Sequence, residues 1–461
     1  MSAVVLSSNH HAKAVLSSSD DRHGWGLLLL MAVVATLFVR PADLLPVLTA
    51  WPIYQFLIIG CLVVAYRAML RQLSFETITH QPVTACVLLL LASVTLSHLA
   101  HGFFWAARNS TYEIGKVIAL FLLIVGLVNT PSRLFLFVKC LSVAITFVAL
   151  LALLDRYELY SIGALESVED RMRVANETTV QVDRIRGTGI FNDPNDFGMI
   201  LVTGLVLCAS SFMRPGAGLR RYLWLTPIGI LMATLALTHS RGALLSLASV
   251  VPAAVVYRLG WKYAVPSLFV LPGLAMLFSA RMTNVQAMTD GTGQSRIQIW
   301  SDCLVLWRQY PIFGTGQGML VEEIGVVAHN SFLQCFVELG LVGGIAFAAC
   351  FMGTLLGLWS LRDRFWNLND VKSTPELHRL AHLRMFLFAA VSAYAMGILS
   401  ISRQFVAPTF LILGLGTAAQ LVCPMSHPSL RLNNYFFVMC LLSGAGVLLF
   451  CHVVVRVFNQ F

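Results

Sequence analysis

The stretch from Asn330 to Trp359 reads NSFLQCFVELGLVGGIAFAACFMGTLLGLW and contains a single charged residue, Glu338. A transmembrane helix needs about 20 predominantly apolar residues, so this stretch is long enough to cross a bilayer. Similar stretches recur along the whole chain, of which 57% is hydrophobic and only 11% is charged. Soluble domains carry about 25% charged residues. The composition therefore predicts a polytopic membrane protein.

Apolar runs of this kind predict 12 or 13 membrane-spanning helices. The runs cover residues 24–40, 51–69, 82–99, 111–128, 133–153, 195–213, 222–238, 242–258, 263–280, 330–359, 384–402, 405–423 and 434–457. We therefore expect an all-α polytopic integral membrane helical bundle. Residues 1–23 would form a short cytoplasmic tail and residues 24–461 a single membrane-embedded domain. The ten cysteines form no CxxC pair and fall almost entirely within spans, which predicts packing residues rather than disulfides.

The charges between the spans favour a cytoplasmic N-terminus. The inside loops would then hold 16 cations and 6 acids, with three arginines crowded into the short connection 214–221 and Arg384 also counted as a loop residue. This orientation places two long loops outside, 154–194 and 281–329, where they can form the lid and floor of a site. The positive charge inside is scattered and explained by topology, so no nucleic-acid partner is predicted.

The second outer loop contains one predicted helix, from Ser295 to Gln309. Large apolar residues recur within it at helical spacing, namely Ile297, Trp300, Leu304 and Trp307. The two tryptophans suggest that this helix lies on the membrane surface. The glycine-rich run 314–318 after it is interpreted as a flexible turn, because the strand and the lysine of a phosphate-binding loop are absent.

Three short polar motifs interrupt the apolar chain, and the span count places all three on the outer side. They are the run from Arg186 to Asn195, which contains Phe-Asn-Asp-Pro-Asn, the turn Ser240-Arg241-Gly242, and the pair His329-Asn330. Helix capping alone could explain the polar residues before the sixth span. A helix N-terminus beside Arg186 also favours an anion. Arg241, between two apolar segments, needs a partner, which is either a substrate phosphate or a lipid headgroup.

Two fixed cations and one titratable imidazole suit a site that holds a diphosphate and moves a proton. The candidate catalytic residues are His329, Arg241 and Arg186. The candidates for substrate binding are Asn195, Asn192, Ser240, Asn330 and Glu338. Glu338 is an intramembrane acid, which can be functional or can form a hydrogen bond between helices. No metal site and no cofactor are predicted, because no His/Cys/Asp cluster with metal-ligand spacing faces outward.

The order and spacing of these motifs resemble the O-antigen ligase and polysaccharide polymerase superfamily. The matching residues are Arg186-Gly-Thr-Gly-x-Phe-x-x-Pro-Asn195, Ser240-Arg241-Gly242, Arg296 with Trp300, Pro311 to Gly316, and His329-Asn330 followed by Glu338-Leu-Gly-Leu-Val-Gly343. The resemblance is closest over residues 186–345. It implies a GT-C-like bundle with a short periplasmic helical loop in the bacterial inner membrane. It also implies a metal-independent, inverting glycosyltransferase that uses undecaprenyl diphosphate-linked glycans on the periplasmic side.

The resemblance also implies residue roles. Arg186 and Arg241 would hold the donor diphosphate, Arg296 would bind substrate, and His329 would act on the acceptor hydroxyl. The acceptor stays open: it is lipid A core in a ligase, another lipid-linked repeat unit in a polymerase, or a protein in an O-glycosylating ligase. A secondary transporter is a more remote alternative, because the span count and the intramembrane Glu338 and Lys116 fit that class, although the polar motifs cluster at one surface.

Overall fold

In the computed structural model the chain forms a bundle of long helices. The structure describes residues 22–160, 165, 167–173, 179–263, 292–360, 375–422 and 431–458. The helices are α1 (Arg22–Val39), α2 (Pro41–Leu44), α3 (Ile53–Gln72), α4 (Phe75–His80), α5 (Pro82–Leu99), α6 (Phe104–Leu127), α7 (Pro131–Arg156), α8 (Pro194–Phe212), α9 (Leu225–Leu237), α10 (Arg241–Leu259), α11 (Thr292–Gln309), α12 (Leu320–Ile324), α13 (Ser331–Trp359), α14 (Pro375–Gly397), α15 (Ala407–Leu421) and α16 (Asn434–Phe458). The strands are β1 (Val168–Arg173) and β2 (Thr179–Arg184), and short 3-10 helices cover Pro46–Ala50, Gly189–Phe191, Gly218–Trp224 and Trp261–Tyr263.

Within those ranges, nine helices are long and apolar enough to cross a membrane. They are α3, α5, α6, α7, α8, α10, α13, α16 and the His378–Gly397 part of α14, while α1 and α15 contain shorter apolar segments. The predicted all-α, multi-pass membrane architecture is thus confirmed. The predicted span 263–280 and most of the predicted cytoplasmic tail 1–23 lie outside the described residues.

Two features differ from the sequence-based expectation. The outer loop 154–194 contains an antiparallel hairpin, in which Val168 pairs with Arg184 and Arg173 pairs with Thr179. Its strands are rich in charged residues, so a search for apolar runs cannot detect them. In addition, Arg384 is not a loop residue but lies inside α14 and is fully buried. This helix begins well before the predicted span 384–402. Polar residues fill its first turns, so a search for apolar runs cannot detect them.

The two most buried spans are α8 and α13, with 78% and 67% of their apolar windows inside the protein. Helix α8 packs against α7, α9, α10 and α14, while α13 packs against α5, α11, α14, α15 and α16. Helix α8 begins within the first polar motif, and α13 begins directly after His329-Asn330. Two of the three motifs are therefore attached to the two central helices of the bundle, and the third begins α10, which packs against α8.

A break in α13 at Gly340 is filled by the glycine-rich segment that follows α11. Gly340 has φ 67° and ψ −161°, a conformation that only glycine adopts readily. The segment donates backbone hydrogen bonds from Thr315 to Val337 and from Gly316 to Glu338, at 3.0 Å each. A Cβ atom on Gly314 would overlap the backbone of Glu338. The run 314–318 contains the predicted turn, and two of its five residues bond it to a central helix.

Alanine at Gly340 should destabilise the folded protein by about 1–3 kcal/mol, because the residue would enter a glycine-only conformation. Its Cβ would also overlap the backbone of Ile312 and Phe313. Thermal unfolding of the detergent-solubilised chain, followed by size-exclusion chromatography, measures this loss. Gly446→Ala is the matched control, because nothing lies within 4 Å of a Cβ at that position of α16. Equal melting temperatures of the two variants would contradict the prediction.

Candidate functional site

Three helix N-termini meet at one end of the bundle, and each is capped by a motif residue. The side chain of Asp193 accepts hydrogen bonds from the first turn of α8, Ser240 accepts one from α10, and Asn330 accepts two from α13. We call this region the mouth, defined as the first turns of α8, α10 and α13 together with Arg184, Arg186, Arg296 and His329. A helix N-terminus carries partial positive charge, so the mouth favours an anion.

Asn195 joins the first two motifs by direct contact. Its Oδ1 accepts a hydrogen bond from Ser240 Oγ at 2.9 Å and another from Arg184 Nη2 at 2.9 Å. Arg184 Nε also donates to the carbonyl oxygen of Thr238 at 2.9 Å. Sequence reasoning missed Arg184, because it lies at the end of the acidic stretch 154–185, where an arginine is readily explained as neutralising nearby acids. The structure bonds it to Asn195 and to the turn between α9 and α10.

Three further arginines belong to this region: Arg186 precedes α8, Arg241 follows Ser240, and Arg296 feels the charge of Arg241. Arg186 is half-buried, and among the described residues no acceptor reaches its buried Nε. Arg241 is the first residue of α10, directly after its cap. Partial desolvation, followed by the charge of Arg241, lowers the pKa of Arg296, although part of that side chain stays exposed. Positive charges close to a helix N-terminus are opposed by the helix dipole and by one another, so an anion bound here would stabilise the arrangement.

His329 is half-buried beside these charges and has a left-handed backbone, with φ 50°. Burial lowers the pKa of its imidazole, and the charges of Arg296 and Arg403 lower it further, while Asp193 acts in the opposite direction. The imidazole is therefore held neutral at neutral pH. A neutral imidazole can accept a proton, which is the chemistry that a general base needs.

Helix α11 holds the segment that precedes His329. The predicted helix 295–309 is present from Thr292 to Gln309. The indole Nε1 of Trp300 donates a hydrogen bond to the carbonyl oxygen of Ala328 at 2.9 Å. One turn earlier on the same helix, Arg296 lies close enough to His329 for its charge to act on the imidazole. Helix α11 thus positions both the Arg296 cation and the backbone next to His329.

Trp300→Phe should slow the reaction of the mouth about threefold to tenfold, because it removes one hydrogen bond worth about 0.5–1.5 kcal/mol and frees the residue next to His329. The measurement is the initial rate, with the purified chain, of the glycan transfer that the sequence resemblance implies. Trp307→Phe is the matched control on the same helix, because in the described part of the chain the buried Trp307 Nε1 has no hydrogen-bond partner. Equal rates for the two variants would contradict this role of Trp300.

Three predicted substrate-binding residues are either fully buried or exposed at the surface. Asn330 is fully buried, and its amide nitrogen donates to the sulfur of Cys451 at 3.7 Å. Glu338 is also fully buried and accepts a hydrogen bond from Gln334 Nε2 at 2.7 Å. Asn192 is exposed at the surface. The first two side chains thus form bonds inside the protein, and all three stay predictions as substrate ligands.

A cavity of about 610 Å³ lies beside the mouth. Side chains of α1, α3, α6, α8, α14 and α15 line it, and most of them are apolar. Its polar lining includes Glu113 and Lys116 on α6, together with the ion pair between Asp196 and Arg403. Ile190 and Phe191 of the first motif also line the cavity, whereas Arg186, Arg241 and His329 do not. The cavity and the mouth are therefore neighbouring compartments.

Arg403 is a residue that the sequence analysis missed. Its Nε donates to both carboxylate oxygens of Asp196 at 2.6 Å. The signal was present, because Arg403 lies in a polar gap between the apolar runs 384–402 and 405–423, the same pattern that singled out Arg241.

Among the described residues no group of three or more His, Cys, Asp and Glu side chains is placed to hold a metal ion.

Comparison with known proteins agrees with this geometry. The fold and the mouth define a multi-pass membrane protein in which capped helix N-termini and arginines lie together at one end of the bundle. Residues 227–348 match the family model described as O-Antigen ligase. An O-antigen polymerase from Salmonella muenchen is 25% identical over 177 residues, which cover 34% of this chain and 44% of that relative. The two matches confirm the predicted resemblance to the O-antigen ligase and polymerase superfamily.

Proposed function

We propose that this protein transfers a glycan en bloc from a polyprenyl diphosphate carrier, undecaprenyl diphosphate, to an acceptor on the periplasmic side of the bacterial inner membrane. O-antigen ligation to lipid A core is the reaction that we favour. The observation that carries the proposal is the mouth itself, where the capped N-termini of three helices, several arginines and a neutral histidine lie together. A diphosphate needs the first two features, and an acceptor hydroxyl needs the third.

The neighbouring cavity supports a donor with a long hydrocarbon chain. Its mostly apolar walls belong to helices that are long or apolar enough to lie within a membrane. One lipid-linked donor could therefore place its chain in the cavity and its diphosphate at the mouth. A free sugar nucleotide would have no use for an apolar cavity at this position, so the pairing of the two compartments favours a lipid-linked substrate.

The residues of the mouth suit an inverting displacement. His329 would accept the proton of the acceptor hydroxyl while its oxygen attacks the anomeric carbon of the donor sugar. The bond between that carbon and the diphosphate oxygen breaks, and the electron pair leaves with the diphosphate. Arg186, Arg241 and Arg296 would stabilise the negative charge that develops on this leaving group. This scheme uses side chains alone, and we propose that the reaction is independent of a metal ion.

A polymerase is the second candidate, and the relative named O-antigen polymerase supports it. Ligase and polymerase share the donor chemistry and differ in the acceptor, which would be lipid A core or another lipid-linked repeat unit. The choice depends on the space above the mouth, between the loops 154–194 and 281–329.

Expression of the chain in a strain that lacks its own O-antigen ligase tests the proposal. The strain supplies both the lipid-linked glycan and the lipid A core, and an empty vector is the control. Gel analysis reads the length of the glycan and its point of attachment. Glycan attached to lipid A core supports the ligase. Long glycan that stays on the lipid carrier supports the polymerase, and a pattern equal to the empty vector in both respects would overturn the proposal.

A further inference from the structure

The ion pair between Arg403 and Asp196 lies at the boundary between the cavity and the mouth. Arg403 Nε contacts both carboxylate oxygens at 2.6 Å, and Nη2 contacts one of them at 2.6 Å as well. Arg403 Nη1 donates to the carbonyl oxygen of Ser402 at 3.0 Å. The carboxylate is almost fully buried, with 9% of the side chain exposed. Such a bidentate pair holds the guanidinium in one orientation.

Both residues of the ion pair lie at the compartments that are proposed to hold the donor. Arg403 and Asp196 line the apolar cavity. Asp196 also follows Asn195, whose side chain bonds Ser240 in the mouth. The pair therefore forms part of the boundary between the cavity and the mouth. A lipid diphosphate that occupies both compartments would have to extend past it.

The backbone of Arg403 is bonded to the segment that carries His329. Its N–H donates to Ser331 Oγ at 2.8 Å, and Ser331 Oγ in turn donates to the carbonyl oxygen of Ile401 at 2.7 Å. Thr409 Oγ1 donates to the carbonyl oxygen of Arg403 at 2.6 Å, which ties the same residue to α15. Arg403 is thus connected through its side chain to α8 and through its backbone to the start of α13.

The charge of Arg403 also reaches His329. The charged groups that act on this imidazole are Arg296 on α11, Arg403 in the connection between α14 and α15, and Asp193 before α8. Both cations lower the pKa of His329, in addition to burial, and Asp193 raises it. A change in the charge of Arg403 should therefore be visible in the titration of His329.

We propose that Arg403, oriented by Asp196, is a positioning residue of the transfer reaction, which aligns the His329 segment with the N-terminus of α8 where the cavity meets the mouth. This inference rests on the proposed function. An ion pair that only stabilises the bundle would change the melting temperature when it is broken. A positioning pair should change the rate and pH profile of the reaction as well.

The experiment compares the purified full-length chain with Arg403→Gln, Arg403→Lys and Asp196→Asn, using a lipid-linked glycan as donor. Arg403→Gln should lower kcat about tenfold or more. It should also move the acid limb of the pH profile upward by about 0.5–1 pH unit, because one cation beside His329 is lost. Asp196→Asn should move the limb downward, because it leaves the charge of Arg403 uncompensated. Arg403→Lys should keep the limb in place and lower kcat, since lysine cannot hold both carboxylate oxygens.

Arg156→Gln is the matched control, because Arg156 also pairs with an aspartate, Asp183, at 3.7 Å. That pair is about 40% exposed on both sides and does not line the cavity, so kcat and the pH limb should stay unchanged. If the wild type is active and all three variants keep its kcat and its acid limb, the inference is overturned and the proposed function is not. No transfer by the wild-type chain would overturn the proposed function together with it. The Lys variant keeps the charge, so it supplies the decisive comparison if the Gln variant fails to fold.

Discussion

Alanine at position 329 should reduce glycan transfer by a factor of about 10²–10⁴, the usual contribution of a general base. Burial and two neighbouring cations hold the imidazole neutral, so that it can accept the proton of the acceptor hydroxyl. Alanine cannot accept this proton. The initial rate of transfer by the purified chain, with a lipid-linked donor and a saturating acceptor, measures the loss.

The backbone at this position requires a second variant. His329 has a left-handed φ of 50°, which alanine adopts at a cost of about 1–2 kcal/mol. Asparagine tolerates that region well and lacks a group that titrates near neutral pH. His329→Asn should therefore fold like the wild type and still lose transfer. His80→Ala serves as a control, because that side chain is exposed before the start of α5, at the opposite end of the bundle. If the Asn variant keeps wild-type activity, the imidazole is not the proton acceptor.

The direction of the pH dependence follows from the same environment. The pKa of His329 is lowered from its ordinary value of 6.5. If the neutral form is the active one, transfer by the wild-type chain should be constant around neutral pH and should fall only as the pH drops through this lowered value. The acid limb should disappear from the residual activity of His329→Asn.

The sequence predicted the helices because membrane spanning imposes a simple requirement on composition. Each predicted span within the described residues contains a helix, and the surface helix predicted at 295–309 differs only at its first residues. Boundaries were less certain where polar residues fill the first turn of a helix. Helix α6 begins at Phe104, before the predicted run 111–128.

The contacts of the mouth could be predicted only in part. The motifs were recognisable because they are polar residues in an apolar chain, and the span count placed them at one end. The pairing of Asp196 with Arg403 joins residues 207 positions apart, and its geometry depends on how α8 packs against α14. The close contact of Gly314 with the backbone of α13 also depends on how distant parts of the chain pack. Such long-range contacts follow from tertiary packing, to which local composition is insensitive.

Arg241→Lys should lower transfer well over tenfold although it keeps the positive charge. Arg241 opens α10 next to Arg296, in a place where the helix dipole disfavours a cation. A bound anion would compensate these repulsions. Guanidinium can hold two phosphate oxygens in one plane, while the lysine ammonium is a point charge without this geometry. The measurement is the initial rate together with the KM for the lipid-linked donor.

Arg258→Lys provides the matched control at the other end of the same helix. Arg258 lies in the last turn of α10, where the dipole favours any cation, and lysine should replace it without loss of transfer. A large loss at 241 with none at 258 would mean that the reaction depends on the planar fork of Arg241 rather than on the charge of α10. A loss that appears only as a higher donor KM would assign Arg241 to ground-state binding of the diphosphate, whereas a lower kcat would assign it to the charge that develops on the leaving group. Near-normal activity of Arg241→Lys would instead mean that Arg241 only anchors the turn between α9 and α10.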